Sequence, residues 1–196
     1  KTAYEIYQCE WSSDVCSSDL KPVVEDGESQ FEQLDETSFH KKWKVIVFYP
    51  KDFTFVCPTE IVAYDRLNKS FEERDAVLLI GSTDNEFCKV AWKNAHEDLK
   101  KTSSWMFADT LREGYHDDIH DTPVTGLAYQ LGILDTTSGV ALRATFIVDP
   151  NDVIQHVTVN NLNVGRSAEE TLRVLDALQT DELCACNRPV GGATLS

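Results

Sequence analysis

The sequence predicts an α/β fold in which a central β-sheet is flanked by helices. Two observations carry that reading. Short β-branched or aromatic runs alternate with longer stretches of helical period, and turn residues separate the two. A third observation bounds it: 196 residues suffice for one domain with a sizeable core and fall short of two.

Lys1–Leu20 shows neither period. Ser12-Ser13-Asp14-Val15 and Ser17-Ser18-Asp19-Leu20 repeat around Cys16, a composition that predicts a disordered or non-native leader. The segment lacks the apolar core of a secretory signal, so the expected location is the cytoplasm. Trp43–Tyr49 (WKVIVFY) is long enough for a buried strand and too short for a helix, and Pro50 ends it. Over Pro58–Arg74, the residues Ile61, Tyr64, Leu67, Asn68 and Phe71 recur at helical spacing, with Glu60 in the opening turn. Ala76–Ser82 (AVLLIGS) reads as a second strand and Glu86–Leu99 as a second helix. Asp149-Pro150-Asn151-Asp152 is a turn between the β-rich runs Ala144–Val148 and Ile154–Val159, hence a hairpin. Ser167 and Glu170 form a capping box for a helix over Ala168–Leu178. The domain is expected over residues 21–180, with an irregular tail over 181–196.

A formal net charge of −15 argues against a nucleic-acid footprint, which needs a basic patch. No apolar run approaches the roughly 18 residues of a membrane span. Six cysteines (Cys9, Cys16, Cys57, Cys88, Cys184 and Cys186) are too few for a secreted disulfide scaffold of this length. Nor do they form the two C-x-x-C pairs of a zinc ribbon. Each is judged by its surroundings.

Cys57 stands out. It falls where the first strand hands over to the first helix, the place where α/β sheets put their chemistry. With Pro58 in the first helical turn, Cys57 sits at the helix N-terminus, whose free N–H groups and positive dipole end favour thiolate over thiol. Thr54, three residues earlier, is close enough for a turn to bring its hydroxyl to the sulfur. Pro50 stiffens the pocket wall and offers no N–H. A lone helix-start cysteine also suits the role of a small buried hydrophobe. The full string P-x-x-x-T-x-x-C-P-T-E, from Pro50 to Glu60, separates the two readings.

With that string the chain resembles the peroxiredoxins, specifically the typical two-cysteine branch that includes the bacterial alkyl hydroperoxide reductases of AhpC type. The resemblance runs from about Phe31 to Asn187. It implies a thioredoxin-like fold with a mixed sheet, and a thiol peroxidase that reduces hydrogen peroxide and organic hydroperoxides without metal or other cofactor. It makes Cys57 the peroxidatic cysteine, which becomes a sulfenic acid. Thr54 becomes the residue that hydrogen-bonds thiolate and peroxide, and Pro50 the one that shields the pocket. Arg143, in Leu142-Arg143-Ala144-Thr145-Phe146, matches the active-site arginine. A guanidinium there would favour the thiolate and steady charge along the breaking O–O bond. Glu60 and Arg166 match a polar network orienting that arginine, with a plain surface ion pair as the competing reading.

Asp181-Glu182-Leu183-Cys184-Ala185-Cys186-Asn187 carries a C-x-C pair, a weak signal alone. The resemblance makes Cys184 the resolving cysteine, which closes a disulfide with Cys57 of another protomer, and Cys186 an assisting tail thiol of an actinobacterial type. A disulfide needs Cα atoms within about 7 Å, so the first turn around Cys57 must unwind and the tail must move. The implied partners are a homodimer, larger rings, and a dithiol reductant: thioredoxin, a flavoprotein disulfide reductase or a small AhpD-like reductase.

Three features depart from the family. Lys1–Leu20 replaces its usual N-terminal opening. Lys89 stands where a histidine is common, beside Cys88, which reads as an inert helix thiol. Extra length at Glu113–Val124 carries His116 and His120 four apart, with Asp117, Asp118 and Asp121. That spacing holds a divalent metal on a helix, but Gly114 and Pro123 bracket a polar loop, which is the expected form. Two other functions remain open: a holdase chaperone acting through exposed apolar surface, and a general disulfide oxidoreductase. The latter wants C-x-x-C, and Glu60 occupies the second thiol's place.

Overall fold

The computed structural model describes residues 17–25, 28–34, 38–110, 115–116, 123–124 and 126–195. Along the chain run β1 (Ser17–Glu25), β2 (Glu28–Leu34), β3 (Trp43–Phe48), α1 (Cys57–Arg66), α2 (Asn68–Glu72) and β4 (Ala76–Ser82). Next come α3 (Glu86–Ala95), a 3₁₀ turn (Leu99–Lys101), β5 (Trp105–Ala108), β6 (Tyr115–His116), β7 (Pro123–Val124) and α4 (Leu127–Gln130). The chain continues with β8 (Leu134–Asp135), β9 (Val140–Ala141), β10 (Arg143–Val148), β11 (Ile154–Asn160) and α5 (Ala168–Leu178).

One seven-stranded sheet has the order β11-β10-β3-β4-β5-β1-β2. It is mixed: β3, β4 and β5 are mutually parallel, and β10, β11, β1 and β2 join antiparallel. The central strand β3 explains why the sheet is covered on both sides. Its alternation sends Val45, Val47 and then Tyr49 into one core and Ile46 and Phe48 into the other. All five are at most 1% exposed, which is why this strand reads as a continuous apolar run rather than an alternating one. The first core takes Ile61 and Tyr64 of α1, Trp92 of α3, and Leu172 and Leu175 of α5. The second takes Phe107, Leu127, Phe146 and Ile154. Gly81 of β4 is needed here, because a Cβ would meet the Phe107 ring at 2.5 Å.

The hairpin forms as expected, with strands one residue longer at Arg143 and Asn160. Ser167 accepts a hydrogen bond from the Glu170 N–H, but the Glu170 carboxylate is held by both Nε and Nη2 of Arg173, so only half of the capping box forms. Two expected helices end early. The first breaks at Leu67 (φ −99°, ψ 2°), whose N–H reaches Tyr64 rather than a full turn back. The second stops at His96, which is extended at φ −103°, ψ 122°. The His96 ring accepts a hydrogen bond from the Asp98 N–H, so a local side-chain bond displaces the helical ladder. Within the expected leader, Ser18, Asp19 and Leu20 pair with Ala108, Phe107 and Met106 of β5. Residues 1–16, with Cys9 and Cys16, lie outside the described residues, as do Asp117, Asp118, His120 and Asp121. Of the extra segment, Tyr115–His116 and Pro123–Val124 pair antiparallel. Among the described residues no helix is long and apolar enough to cross a membrane.

Candidate active site

Cys57 opens α1, with Pro58 in its first turn, where the missing N–H costs no helical bond. Its side chain is 1% exposed and belongs to the core that includes Tyr49, Ile61, Tyr64 and Ala168. Glu60 lies one helical turn on, so the same face carries both groups.

Arg143 enters from the first residue of β10, the strand beside β3. Its Nη1 lies 3.5 Å from Cys57 Sγ and 2.6 Å from Glu60 Oε2. Its Nε donates to the Leu162 carbonyl at 2.6 Å. The other Glu60 oxygen accepts from the Arg166 N–H at 3.0 Å and from Arg166 Nε at 2.8 Å. Arg166 Nη1 donates to the Ala144 carbonyl at 2.6 Å and to Thr145 Oγ1 at 3.1 Å. Tyr64 braces this group from below: its hydroxyl lies 2.9 Å from Thr171 Oγ1 and 3.2 Å from Thr145 Oγ1. The side chains of Glu60, Arg143 and Arg166 are each at most 5% exposed. They form a buried network, and the surface-pair reading does not describe them.

The charges of that network do not cancel. Two guanidinium groups share one carboxylate, which leaves one positive charge over within this buried network. A negative sulfur at Cys57 would balance it, and burying a charge is costly unless it is paired. Charge moving onto an oxygen near Sγ would meet the same guanidinium.

Pro50 is buried where β3 ends. Thr54 is half-buried, and its hydroxyl donates to the Lys51 carbonyl at 2.9 Å, so its proton points back along its own loop instead of at Sγ. Cys88 is half-buried on α3. Burial and then the Asp52 carboxylate push its thiol pKa up, which suits an unreactive thiol. Cys184 is half-buried, with Sγ 3.4 Å from Thr180 Oγ1 and 3.8 Å from the Ala177 carbonyl. It borders a cavity of about 640 Å³ shared with Arg173, Leu178 and Leu183. Cys186 is exposed. Arg166, just before α5, is linked to Cys57 through Glu60 and Arg143, whereas Cys184 Sγ lies near the Ala177 carbonyl at the other end of that helix. The 11 residues of α5 span about 16 Å, and both cysteines are free thiols.

Tyr64, the Leu162 carbonyl and the group around Asp52 escaped the sequence reading. Tyr64 could have been found, since it follows Glu60 by four residues on the buried helix face. Leu162 could not, because a backbone acceptor 19 residues from its donor leaves no local signal.

Comparison with known proteins shows the family. Residues 19–157 match the model of the AhpC/TSA family. The chain is 46% identical over 183 residues to alkyl hydroperoxide reductase C of Mycolicibacterium smegmatis, covering 93% of this chain and 87% of that one. A solved structure of Mycobacterium tuberculosis AhpC superposes with a TM-score of 0.74 at 40% identity, covering 90% of this chain and 94% of the other. The reduced Plasmodium vivax 2-Cys peroxiredoxin gives 0.73 at 31%, covering 91% and 86%. A thioredoxin-like mixed sheet, a cysteine at the first strand-to-helix crossing and relatives of this identity lead to one assignment: the chain belongs to the AhpC/TSA family of peroxiredoxins.

Proposed function

We propose that the protein is a cysteine-based peroxidase, acting on hydrogen peroxide and organic hydroperoxides. The observation that carries this is the 3.5 Å approach of Arg143 Nη1 to a buried sulfur inside a network with one unbalanced positive charge. In the first step the anionic sulfur of Cys57 attacks the terminal peroxide oxygen. The S–O bond forms as the O–O bond breaks, and the departing alkoxide or hydroxide takes up a proton. Arg143 steadies the charge that moves onto the leaving oxygen, and Glu60 with Arg166 keeps that guanidinium in place. Pro50 closes the pocket wall, and Thr54 serves the incoming peroxide once its hydroxyl turns from Lys51.

In the second step the thiol of Cys184 attacks the sulfenic sulfur and expels water, leaving a disulfide. The span of α5 between the Arg166 network and Cys184 favours a Cys184 from a second copy of the chain, hence a homodimer. Cys186, two residues on, then exchanges with that disulfide, a role its exposure supports. A dithiol reductant then restores both thiols, and the C-x-C tail favours a small AhpD-like reductase over thioredoxin or a flavoprotein. Such a cycle suits a reducing compartment such as the cytoplasm.

The test is peroxide consumption under single-turnover conditions. Wild-type protein should consume one equivalent per chain and yield a disulfide, while Cys57→Ser consumes none. Consumption that persists in Cys57→Ser overturns the proposal.

A further inference from the structure

The loop that leads into Cys57 is fastened to α3 by a buried charged group that the peroxidase step does not use. Asp52 and Lys89 pair at 3.3 Å, and each side chain is 1% exposed. Lys89 Nζ also donates to Ser82 Oγ at 2.6 Å and to Tyr49 Oη at 3.1 Å. Tyr49 donates to Asp52 Oδ1 at 2.6 Å, and the Asp52 N–H donates to Asp84 at 2.7 Å. Next to it, Phe53 has φ +55°, a strained value for an aromatic residue, and its ring lies 6.0 Å from that of Trp92. Trp92 is three residues after Lys89, so one face of α3 holds both anchors. Beyond Phe53 the hold disappears: Thr54 is half-buried and Phe55 is 94% exposed.

We propose that Lys89 is a positioning residue: through Asp52 it latches the Pro50–Cys57 loop closed and thereby sets how the sulfenic acid partitions. This rests on the peroxidase reading of Cys57. A sulfenic sulfur in the closed loop stays buried beside Arg143. There a second peroxide can oxidise it to sulfinic acid, one oxygen passing to sulfur while the peroxide leaves as alcohol or water. In the open loop it meets Cys184 and gives disulfide and water. Each state favours one product, so the product ratio reads the closed-to-open balance.

Removing the lysine leaves Asp52 buried without its cation, which weakens the hold on the closed loop. Lys89→Met should lower the sulfinic-to-disulfide ratio at fixed peroxide by roughly tenfold, measured by intact mass after quenching. Lys89→Arg, which keeps the charge, should restore most of it. The ratio is taken within molecules whose Cys57 has reacted, so a smaller folded fraction does not move it. Should Lys89→Met fail to fold, Asp52→Asn is the second variant, with the same expected direction. An unchanged ratio in a folded variant, or Lys89→Arg behaving like Lys89→Met, overturns the latch. Wild-type protein that does not react with peroxide overturns the peroxidase reading instead.

Discussion

Cys57 at the start of α1 and Cys184 beyond the end of α5 are held differently. Cys57 is 1% exposed, beside Glu60, whose two oxygens accept three hydrogen bonds from two arginines. Beyond α5 the Cys184 sulfur has a hydroxyl at 3.4 Å and a carbonyl at 3.8 Å, and Arg173 borders the same cavity; sulfur makes weak hydrogen bonds. The Cys57 thiol is set by charge in a buried pocket, and the Cys184 thiol by weaker contacts. A cysteine that must select an O–O bond needs fixed surroundings, whereas one that must travel needs few attachments.

The largest test removes the anion beside Cys57. Glu60→Ala leaves Arg143 and Arg166 buried without their shared carboxylate. Breaking a buried pair from one side typically costs about 3–5 kcal/mol. Urea denaturation should show a loss of that order, and the rate of peroxide reduction should fall by about a hundredfold or more as Arg143 loses its anchor. A Glu60→Ala protein with wild-type stability and rate would mean that charge does not organise this pocket.

The next test acts at Cys184. Cys184→Ser should leave the first peroxide equivalent reacting at the wild-type rate, yet give no dimer band on a non-reducing gel. Cys186→Ser should keep the band. A band that persists without Cys184 transfers the resolving role to Cys186, and a slowed first step would show that the two sites are coupled.

The same contrast explains what the sequence disclosed. Cys57 was legible because its neighbours in sequence are its neighbours in space: Pro58 marks the helix start and Glu60 shares its face. Arg143 and Arg166 stand 86 and 109 positions away, so local pattern did not tie them to Cys57 and the family resemblance supplied their role. The central strands were equally plain, since β3 and β4 are apolar at nearly every position. β1, β2 and β5 were missed. β5 is four residues long, and residues 17–34 lack a clean apolar alternation, so their pairing follows from the neighbouring edge rather than from their own composition. Lys89 registered only as a departure from the family, because nothing near it in sequence announces its partner Asp52, 37 positions earlier.

A smaller effect is expected beneath the Cys57 pocket. Tyr64→Phe removes the hydroxyl that joins Thr145 and Thr171 across α1, β10 and α5. Thr171 keeps a bond to the Ser167 carbonyl, and Thr145 still accepts from Arg166, so neither is orphaned. The loss should be about 1 kcal/mol in urea denaturation with little change in peroxide rate. A large fall in rate would place Tyr64 in the orientation of Arg143 through Arg166.

The smallest effect belongs to the tail. Asp176 on α5 accepts from Arg188 at 2.7 Å and from the Gly191 N–H at 2.9 Å, and it pairs with Arg74 at 3.2 Å. Burial pushes its carboxyl pKa up, but the Gly191 N–H and the guanidinium groups of Arg188 and Arg74 outweigh burial and hold it below the usual aspartate range. A carboxyl depressed in the folded state adds stability above its unfolded pKa, and that stability drains away as pH falls through the folded value. Acidification through and below the ordinary aspartate range should therefore loosen residues 188–191, seen as faster hydrogen exchange of the Gly191 amide after correction for intrinsic rates. Asp176→Asn should exchange faster at neutral pH and lose that acid response, by less than about 1 kcal/mol because solvent reaches part of the cluster. An acid response that survives in Asp176→Asn would move the attachment elsewhere. A Gly191 amide as protected as those of β3 would show that the tail is not the loosely held end, and would remove the contrast on which its mobility rests.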